Sequence, residues 1–387
     1  MQGIGVIAEY NPFHNGHAYQ LVEARRMHGG SVVCVMSGDF VQRGEPALIS
    51  KHLRARHALL HGADMVLEMP AVFSLSSAQR FAACGIRMLQ ATGIVNAVCF
   101  GSEHGDIALL TEAARRLNDE SPAFTAALQA QLKTGQSYPS AFAKAVDSPY
   151  DFGPNDVLGV EYIRAILSQS ADLQPVCVRR IGAAHDALDA SGGYASASAI
   201  RKQILCGDLQ SFSGCMPPDV LQDLHSAIPR TQHQLSTVIL YALRRMDQSA
   251  LAALPDVREG LENVLYREAR RQTTYEAFLF ACKTKRYTLS RLRRISMCAL
   301  LGITADMLTF SPYIRVLGLR QSAKPLLAQM CDASTLPVVT RFSQAAALPA
   351  HAAKLHAIDM LAGEVAAMAS LFPTPALFDY ASPLLVV

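Results

Sequence analysis

EYNPFHNGH, residues 9–17, decides how this chain is read. It follows the apolar run IGVIA and leads into a helical pattern, so it spans the turn between a first strand and a first helix. His14 and His17 then stand near a helix amino terminus, where free N–H groups and the helix dipole attract anions. Two imidazoles there can hydrogen-bond phosphate oxygens and stabilise charge that grows during attack on an α-phosphate, with no covalent intermediate. A helix cap that happens to contain histidine is the plainer alternative. Three features weigh against it: the first-strand context, Gly16 between the histidines, and a second phosphate-type motif downstream.

That second motif is ASASAIRK, residues 195–202. Ser196 and Ser198 precede a helical pattern, so their hydroxyls and the local amides can bind β- and γ-phosphates, and Arg201 offers a fork to the same oxygens. Alone, such a serine run is an ordinary cap. Gly3, Gly5 and Ala8 in GIGVIA match a dinucleotide fingerprint only formally, because they lie inside the strand pattern instead of after it. No G-x-x-x-x-G-K-[ST] loop is present. His57 and His61 have helical metal-pair spacing without a third ligand, and His351 and His356 lack partners, so all four read as polar helix positions.

Outward from residues 9–17, short apolar runs alternate with helical patterns. IGVIAEY, SVVCVMSG, ADMVLEMP, NAVCFGS and PVCVRRI read as strands, with helices over roughly residues 16–28, 51–61 and 76–92, a loop over 147–154, and helix again in LGVEYIRAIL. This repetition predicts an α/β fold, a Rossmann-like parallel sheet with flanking helices. Strand ends at Asn11, Ser37, Gly38, Gly101 and Ser102 should rim a ligand site. After about residue 205 amphipathic helical segments dominate, including VLQDLHSAI, LSTVILYALRRM and NVLYREARRQ, and the alanine-rich stretch 345–369 is helix-forming. The expected division is a first domain, 1–205, that carries both phosphate-type motifs, and a mainly helical domain, 206–387.

The chain has 387 residues, half of them hydrophobic, which is ample for a packed core. No apolar run is long enough to span a membrane and the start carries no signal-like pattern, so a cytoplasmic location without a membrane partner is expected. Nine irregularly spaced cysteines fit reduced thiols. The net charge of +3 is mild, but residues 277–305 contain no acid while Lys283, Lys285, Arg286, Arg291, Arg293 and Arg294 crowd into KTKRYTLSRLRR. In TLSRLRRISMCA, Arg291 and Arg294 share one helix face and Leu292, Ile295 and Ala299 another, which predicts a helix basic outside and apolar inside. An RNA backbone fits such a patch, as does plain solvation. Tyr287 is either a base-stacking ring or a half-buried tyrosine.

The H-x-G-H and serine motifs together resemble the H-x-G-H nucleotidyltransferase superfamily. Within it, EYNPFHNGH, MSGDFVQRGEPALISK, GADMVLEMP, FGSE, PNDVLGVEYIRA, ASASAIRK, EGLEN and KTKRYT are similar, in this order, to blocks of the bacterial tRNA(Met) cytidine acetate ligase family. The resemblance spans the chain from the first strand to at least Arg294. Asp39 stands where that family more often has asparagine, which alters pocket charge. A stretch one residue shorter between Arg180 and His185 leaves the roles of His185 and Asp186 open.

The resemblance implies ATP, with Mg²⁺ on the nucleotide, acetate, and elongator tRNA(Met) as partner. Acetyl-adenylate would form and its acetyl group pass to N4 of the wobble cytidine, releasing AMP and pyrophosphate. The catalytic set would be His14, His17, Ser196, Ser198 and Arg201. The implied ATP site takes Ile7, Ala8, Glu9, Tyr10, Asn11, Pro12 and Phe13, then Asn15, Gly16, Ala18, Tyr19 and Gln20 beside the two histidines. Gly101, Asn155 and Arg180 complete it. The tRNA set is Lys283, Lys285, Arg286, Arg291 and Arg294; no resident metal is implied. Gln42, Arg43, Lys51 and Arg54 are further candidates, or a solvated loop. The rivals are a small-molecule adenylyltransferase and a non-catalytic RNA-binding protein on the same fold.

Overall fold

The computed structural model describes residues 3–119, 122–134, 138–146, 148, 151–180, 193–370, 372, 379 and 382–387. His185 and Asp186 lie outside the described residues, as do Asp147, Pro149 and Tyr150 of the expected loop. The strands are β1 (Gly3–Ala8), β2 (Val32–Ser37), a hairpin of β3 (Phe40–Val41) and β4 (Glu45–Pro46), β5 (Met65–Met69), β6 (Val95–Ser102), β7 (Gln174–Arg179), β8 (Ile314–Leu319), β9 (Val338–Val339) and β10 (Leu385–Val386). The main sheet runs β10-β8-β5-β2-β1-β6-β7, with β9 beside β8. Every neighbouring pair is parallel except β5 with β8.

The first half supplies helices α1 (Asn15–His28), α2 (Lys51–Leu60), α3 (Ala71–Ser74), α4 (Ala78–Ala91), α5 (Ile107–Asp119), α6 (Pro122–Lys133), α7 (Tyr138–Ala145), α8 (Pro154–Ser168) and α9 (Ala197–Leu205). The second supplies α10 (Pro218–Ser226), α11 (Ser236–Arg245), α12 (Gln248–Ala252), α13 (Leu261–Arg271), α14 (Tyr275–Cys282), α15 (Leu289–Leu301), α16 (Lys324–Ala333) and α17 (Ala350–Ala367). Strand side chains alternate between faces. Ile7, Val33, Val35, Leu67, Val98 and Phe100 join residues of α4, α5 and α8 in one core. Ile4, Val6, Cys34, Val66 and Cys99 meet residues of α1, α2, α9 and α10 in another. Apolar residues on both faces explain why β1, β2, β5 and β6 read as continuous hydrophobic runs.

Strand order reverses beside β1, whose neighbours are β2 and β6. The crevice at the carboxyl end of β1 is therefore the place where an open α/β sheet takes its ligand. Residues 236–301 form a helical bundle of α11 to α15. The sheet nevertheless continues past residue 205, because β8 covers the edge of β5 and β10 covers β8. All nine thiols are free, and Cys34, Cys84, Cys99, Cys215, Cys282 and Cys298 are buried. Among the described residues no helix is long and apolar enough to cross a membrane.

Candidate active site

The turn after β1 builds the site. Tyr10 adopts φ 48° and the Asn11–Pro12 bond is cis. Leu48 N–H donates to Asn11 Oδ1 at 2.8 Å, so the turn is tied to the next loop. The helix that follows is capped by the two histidines themselves. Gly16 N–H donates to His14 Nδ1 at 3.1 Å, and His14 N–H donates to His17 Nδ1 at 3.3 Å. The rings stack with centroids 3.7 Å apart and planes 24° apart. A Cβ on Gly16 would meet His14 Cε1 at 2.9 Å, which is why the motif has glycine there.

This cap assigns the protons. An Nδ1 that accepts a backbone N–H carries no proton, so each neutral ring has its proton on Nε2. Burial, then Arg180 and Arg201, lower His14 to about 3. His17 is lowered as well, by burial, then by His14 and Arg180. Near neutral pH both imidazoles are uncharged and offer Nε2–H as a donor. The cap reading and the functional reading therefore describe different nitrogens of the same rings.

The serine motif is fastened to this turn. Ala199 N–H donates to Ser196 Oγ at 3.1 Å, capping α9. Arg201 Nη1 donates to Asn11 O at 2.6 Å and Nη2 to Ser198 Oγ at 3.3 Å. Asn15 Nδ2 donates to Gly193 O and Gly214 O, both at 3.0 Å. Segments nearly two hundred residues apart in sequence are thus held at one carboxyl-terminal sheet edge.

A cleft opens there. It is lined by Ile7, Ala8, Glu9, Tyr10, Asn11, His14, His17 and Gln20 from the first block, and by Gly101, Asn155, Arg180, Ser196, Ser198 and Arg201. Gly16 and Tyr19 line an adjoining recess that shares His14, His17, Gln20, Gly101 and Arg180. Pro12, Phe13, Asn15 and Ala18 line neither; Phe13 is buried in the core and Asn15 braces the Gly193 loop. Gln42 and Arg43 line the cleft from the hairpin, and Glu9 accepts Gln42 N–H at 2.7 Å. Lys51 and Arg54 do not line it. Lys51 is buried among Asp39, Glu68 and Asp379, and Arg54 donates to the carbonyls of Glu9, Ser37 and Gly38.

Sequence reasoning assigned no role to Glu103 and Asp156, which hold Asn155 in place. Asn155 Nδ2 donates to Glu103 at 2.6 Å and Asp156 N–H to Glu103 at 2.8 Å. Asp156 in turn accepts from Ser102 Oγ at 2.5 Å and from Glu103 N–H at 3.0 Å, and pairs with His104 Nδ1 at 2.9 Å. Burial acts to raise the Asp156 carboxyl, and these hydrogen bonds outweigh it and hold it low. The acid just inside α8 was the available signal. Phe81, Phe100, Leu158 and Tyr162 add apolar wall, and only spatial proximity discloses them.

The expected basic face of α15 is arranged differently. Arg294 turns inward, with its guanidinium 3.6 Å from Asp256 and 3.4 Å from Gln42 O. Arg291 donates to Asp256 O at 2.5 Å and lies 4.8 Å above the Tyr287 ring. Tyr287 is half-buried and its hydroxyl donates to Arg258 O at 2.9 Å. Lys283, Lys285 and Arg286 are exposed, with Arg286 paired to Glu259. His57 and His61 pair with Asp223 and Asp219 of α10, each at 2.9 Å. His351 stacks on Phe310. His356 is buried beside Tyr313 and Phe342 and is lowered to about 4, burial being the main cause.

Residues 1–375 match the HIGH Nucleotidyl Transferase family. The chain is 37% identical over 368 residues to a tRNA(Met) cytidine acetate ligase of Acetivibrio thermocellus, covering 89% of each chain. It is 40% identical over 340 residues to one of Caldicellulosiruptor saccharolyticus, covering 84% of each. A crystal structure of Thermotoga maritima TmcAL bound with alpha-thio ATP superposes with a TM-score of 0.89 at 31% identity, covering 100% of both chains. The apo form of that protein gives 0.91 at the same identity.

Proposed function

The chain belongs to the HIGH nucleotidyltransferases, among the tRNA(Met) cytidine acetate ligases, and from that premise we propose an ATP-dependent acetylation of N4 of the wobble cytidine of elongator tRNA(Met). The observation that carries the site is the pair of stacked, neutral histidines with both Nε2–H groups free of the helix cap. Acetate oxygen attacks the α-phosphorus of ATP, the bond to the bridging oxygen breaks, and pyrophosphate leaves. His14 and His17 donate to the phosphate oxygens as negative charge builds, and Ser196, Ser198 and Arg201 receive the departing pyrophosphate. The cytidine N4 then attacks the acetyl carbon, AMP leaves with the bonding pair, and the N4 proton passes to solvent or phosphate.

The cleft presents N–H and guanidinium donors with one carboxylate, Glu9, and no group of three His, Cys, Asp or Glu able to hold a metal occurs among the described residues. That donor set fits Mg²⁺ carried on the triphosphate's own oxygens, where it neutralises phosphate charge. Asn155 and Arg180 hold the nucleotide beside Gly101, where the sheet approaches without a side chain. We assign the first half-reaction to residues 1–205 and tRNA contact to the helical part of 206–387, with Lys283, Lys285 and Arg286 facing phosphates. Arg291, over the Tyr287 ring, steadies the loop that presents them, and Arg294 ties α15 to the β3–β4 hairpin.

Mass spectrometry of an unmodified elongator tRNA(Met) transcript tests the reading, after incubation with the protein, ATP, Mg²⁺ and acetate. One acetyl group on the wobble cytidine, absent without ATP or acetate, is the expected result. Consumption of ATP and acetate with the tRNA unchanged would replace it with a small-molecule adenylyltransferase.

A further inference from the structure

Two arginine pairs stand at helix ends on the bundle, one on α11 and one on α13. Arg244 and Arg245 close α11, and Arg270 and Arg271 close α13. The two ends are stitched together. Arg244 donates to Ala269 O and Gln272 O, both at 2.8 Å, and Arg270 donates back to Arg244 O at 2.9 Å. Capping of helix carbonyls by cations accounts for Arg244 and Arg270.

It does not account for Arg245 and Arg271, which are exposed and reach no carbonyl. Arg271 lies 3.9 Å from Glu268, but that carboxylate already takes Arg267 at 2.8 Å and Gln272 at 3.0 Å. Arg245 lies 5.7 Å from the centre of the Tyr241 ring, which is 62% exposed. Five arginines, Arg267 included, stand against two carboxylates that are already engaged, Glu268 by Arg267 and Gln272 and Asp247 as the cap of α12. With the exposed Tyr241 ring they form a surface for a polyanion that also carries flat rings.

We propose that this patch, on helix ends that the sequence motifs do not include, is an RNA-binding surface, with Arg245 and Arg271 taking backbone phosphates and Tyr241 lying against an unpaired base or ribose. It rests on the reading that tRNA is the substrate, and deepens it. Arg244 and Arg270 are positioning residues that hold the two helix ends against each other.

Binding of the unmodified tRNA(Met) transcript to the full chain, followed by fluorescence anisotropy over a range of salt, tests it. The variant is Arg245→Ala with Arg271→Ala, chosen because neither side chain holds the fold. Each phosphate contact contributes about 0.7 to 0.9 to the slope of log affinity against log salt, so the double variant should lose about 1.5 of slope. At near-physiological salt its affinity should fall about tenfold or more. Acetyl-adenylate formation without tRNA should be unchanged. Lysine at both positions should restore most of the slope. Unchanged affinity and slope in the alanine variant would overturn the proposal while leaving the reaction in place. Failure of the wild-type chain to bind tRNA at all would overturn both.

Discussion

At His14 one ring nitrogen caps the helix and the other is the one proposed to meet phosphate, so folding and the proposed chemistry are separable by mutation. Asparagine is among the best helix caps, so His14→Asn can still accept the Gly16 N–H but offers nothing where Nε2–H was. The melting temperature should move little, while acetyl-adenylate formation falls on the order of a hundred- to a thousand-fold, the usual cost of one lost donor at a developing oxyanion. A rate within a few-fold of wild type would remove His14 from the reaction. The same burial sets a pH signature. In the unfolded chain His14 titrates near 6.5, whereas in the folded chain it is lowered to about 3. The unfolded state therefore takes up the proton first as pH falls. The stability attached to the neutral ring is present above pH about 6.5 and is lost progressively towards pH 3. Nitrogen-15 NMR of the histidines in the nucleotide-free protein at pH 6 should find His14 neutral with its proton on Nε2; a ring half-protonated there would contradict this arrangement.

Between α15 and the cleft stands the β3–β4 hairpin, which carries Gln42 and Arg43 into the site. Arg293 pairs with Glu45, Arg294 donates to Gln42 O, and Gly44, at φ 75°, lies so close to α15 that a Cβ would sit 2.4 Å from Arg294 N. Gly44→Ala must push the hairpin off the helix. A loss of about 1–3 kcal/mol by denaturant titration is expected, together with weaker nucleotide binding, since overpacking at a left-handed glycine incurs both penalties. An unaltered unfolding midpoint would mean that the hairpin is not clamped. This element also marks where sequence reading stops. The inner strands were legible because burial on both faces leaves only apolar residues, and the phosphate motifs were legible because each opens a helix. A two-residue strand leaves no periodicity to detect. Arg294 has the same helix-face spacing as a solvated cation, and its inward turn depends on Asp256, nearly forty residues away in sequence. Glu103 and Asp156 escaped for a like reason, since their side-chain and backbone partners lie about fifty residues away in sequence and only the acid just inside α8 hinted at them.

Across the whole molecule, residues 1–205 are completed by the rest of the chain at one sheet edge and one ion cluster. Lys51 Nζ lies 2.8 Å from Glu68, 2.7 Å from Asp379 and 3.2 Å from Asp39; Arg315 of β8 reaches Glu68 and Asp379, and Arg230 reaches Asp39 at 2.8 Å. Burial acts to raise the Asp39 carboxyl, but Lys51 and Arg230 outweigh it and hold it well below the usual carboxylate range. Asp39 is therefore ionised and balanced. A chain cut after residue 205 keeps Asp39, Lys51 and Glu68 but loses Arg230, Arg315 and Asp379. It also bares the edge of β5, whose five residues are all buried in the intact sheet. Removing one side of a buried ion pair typically costs about 3–5 kcal/mol, and an uncovered apolar edge strand invites pairing with other chains. The fragment of residues 1–205 should accordingly show no cooperative thermal transition and should aggregate, although it contains both phosphate motifs. A cooperative melt close to that of the full chain, with ATP still bound, would establish that the nucleotide half folds alone and that β8 only decorates it.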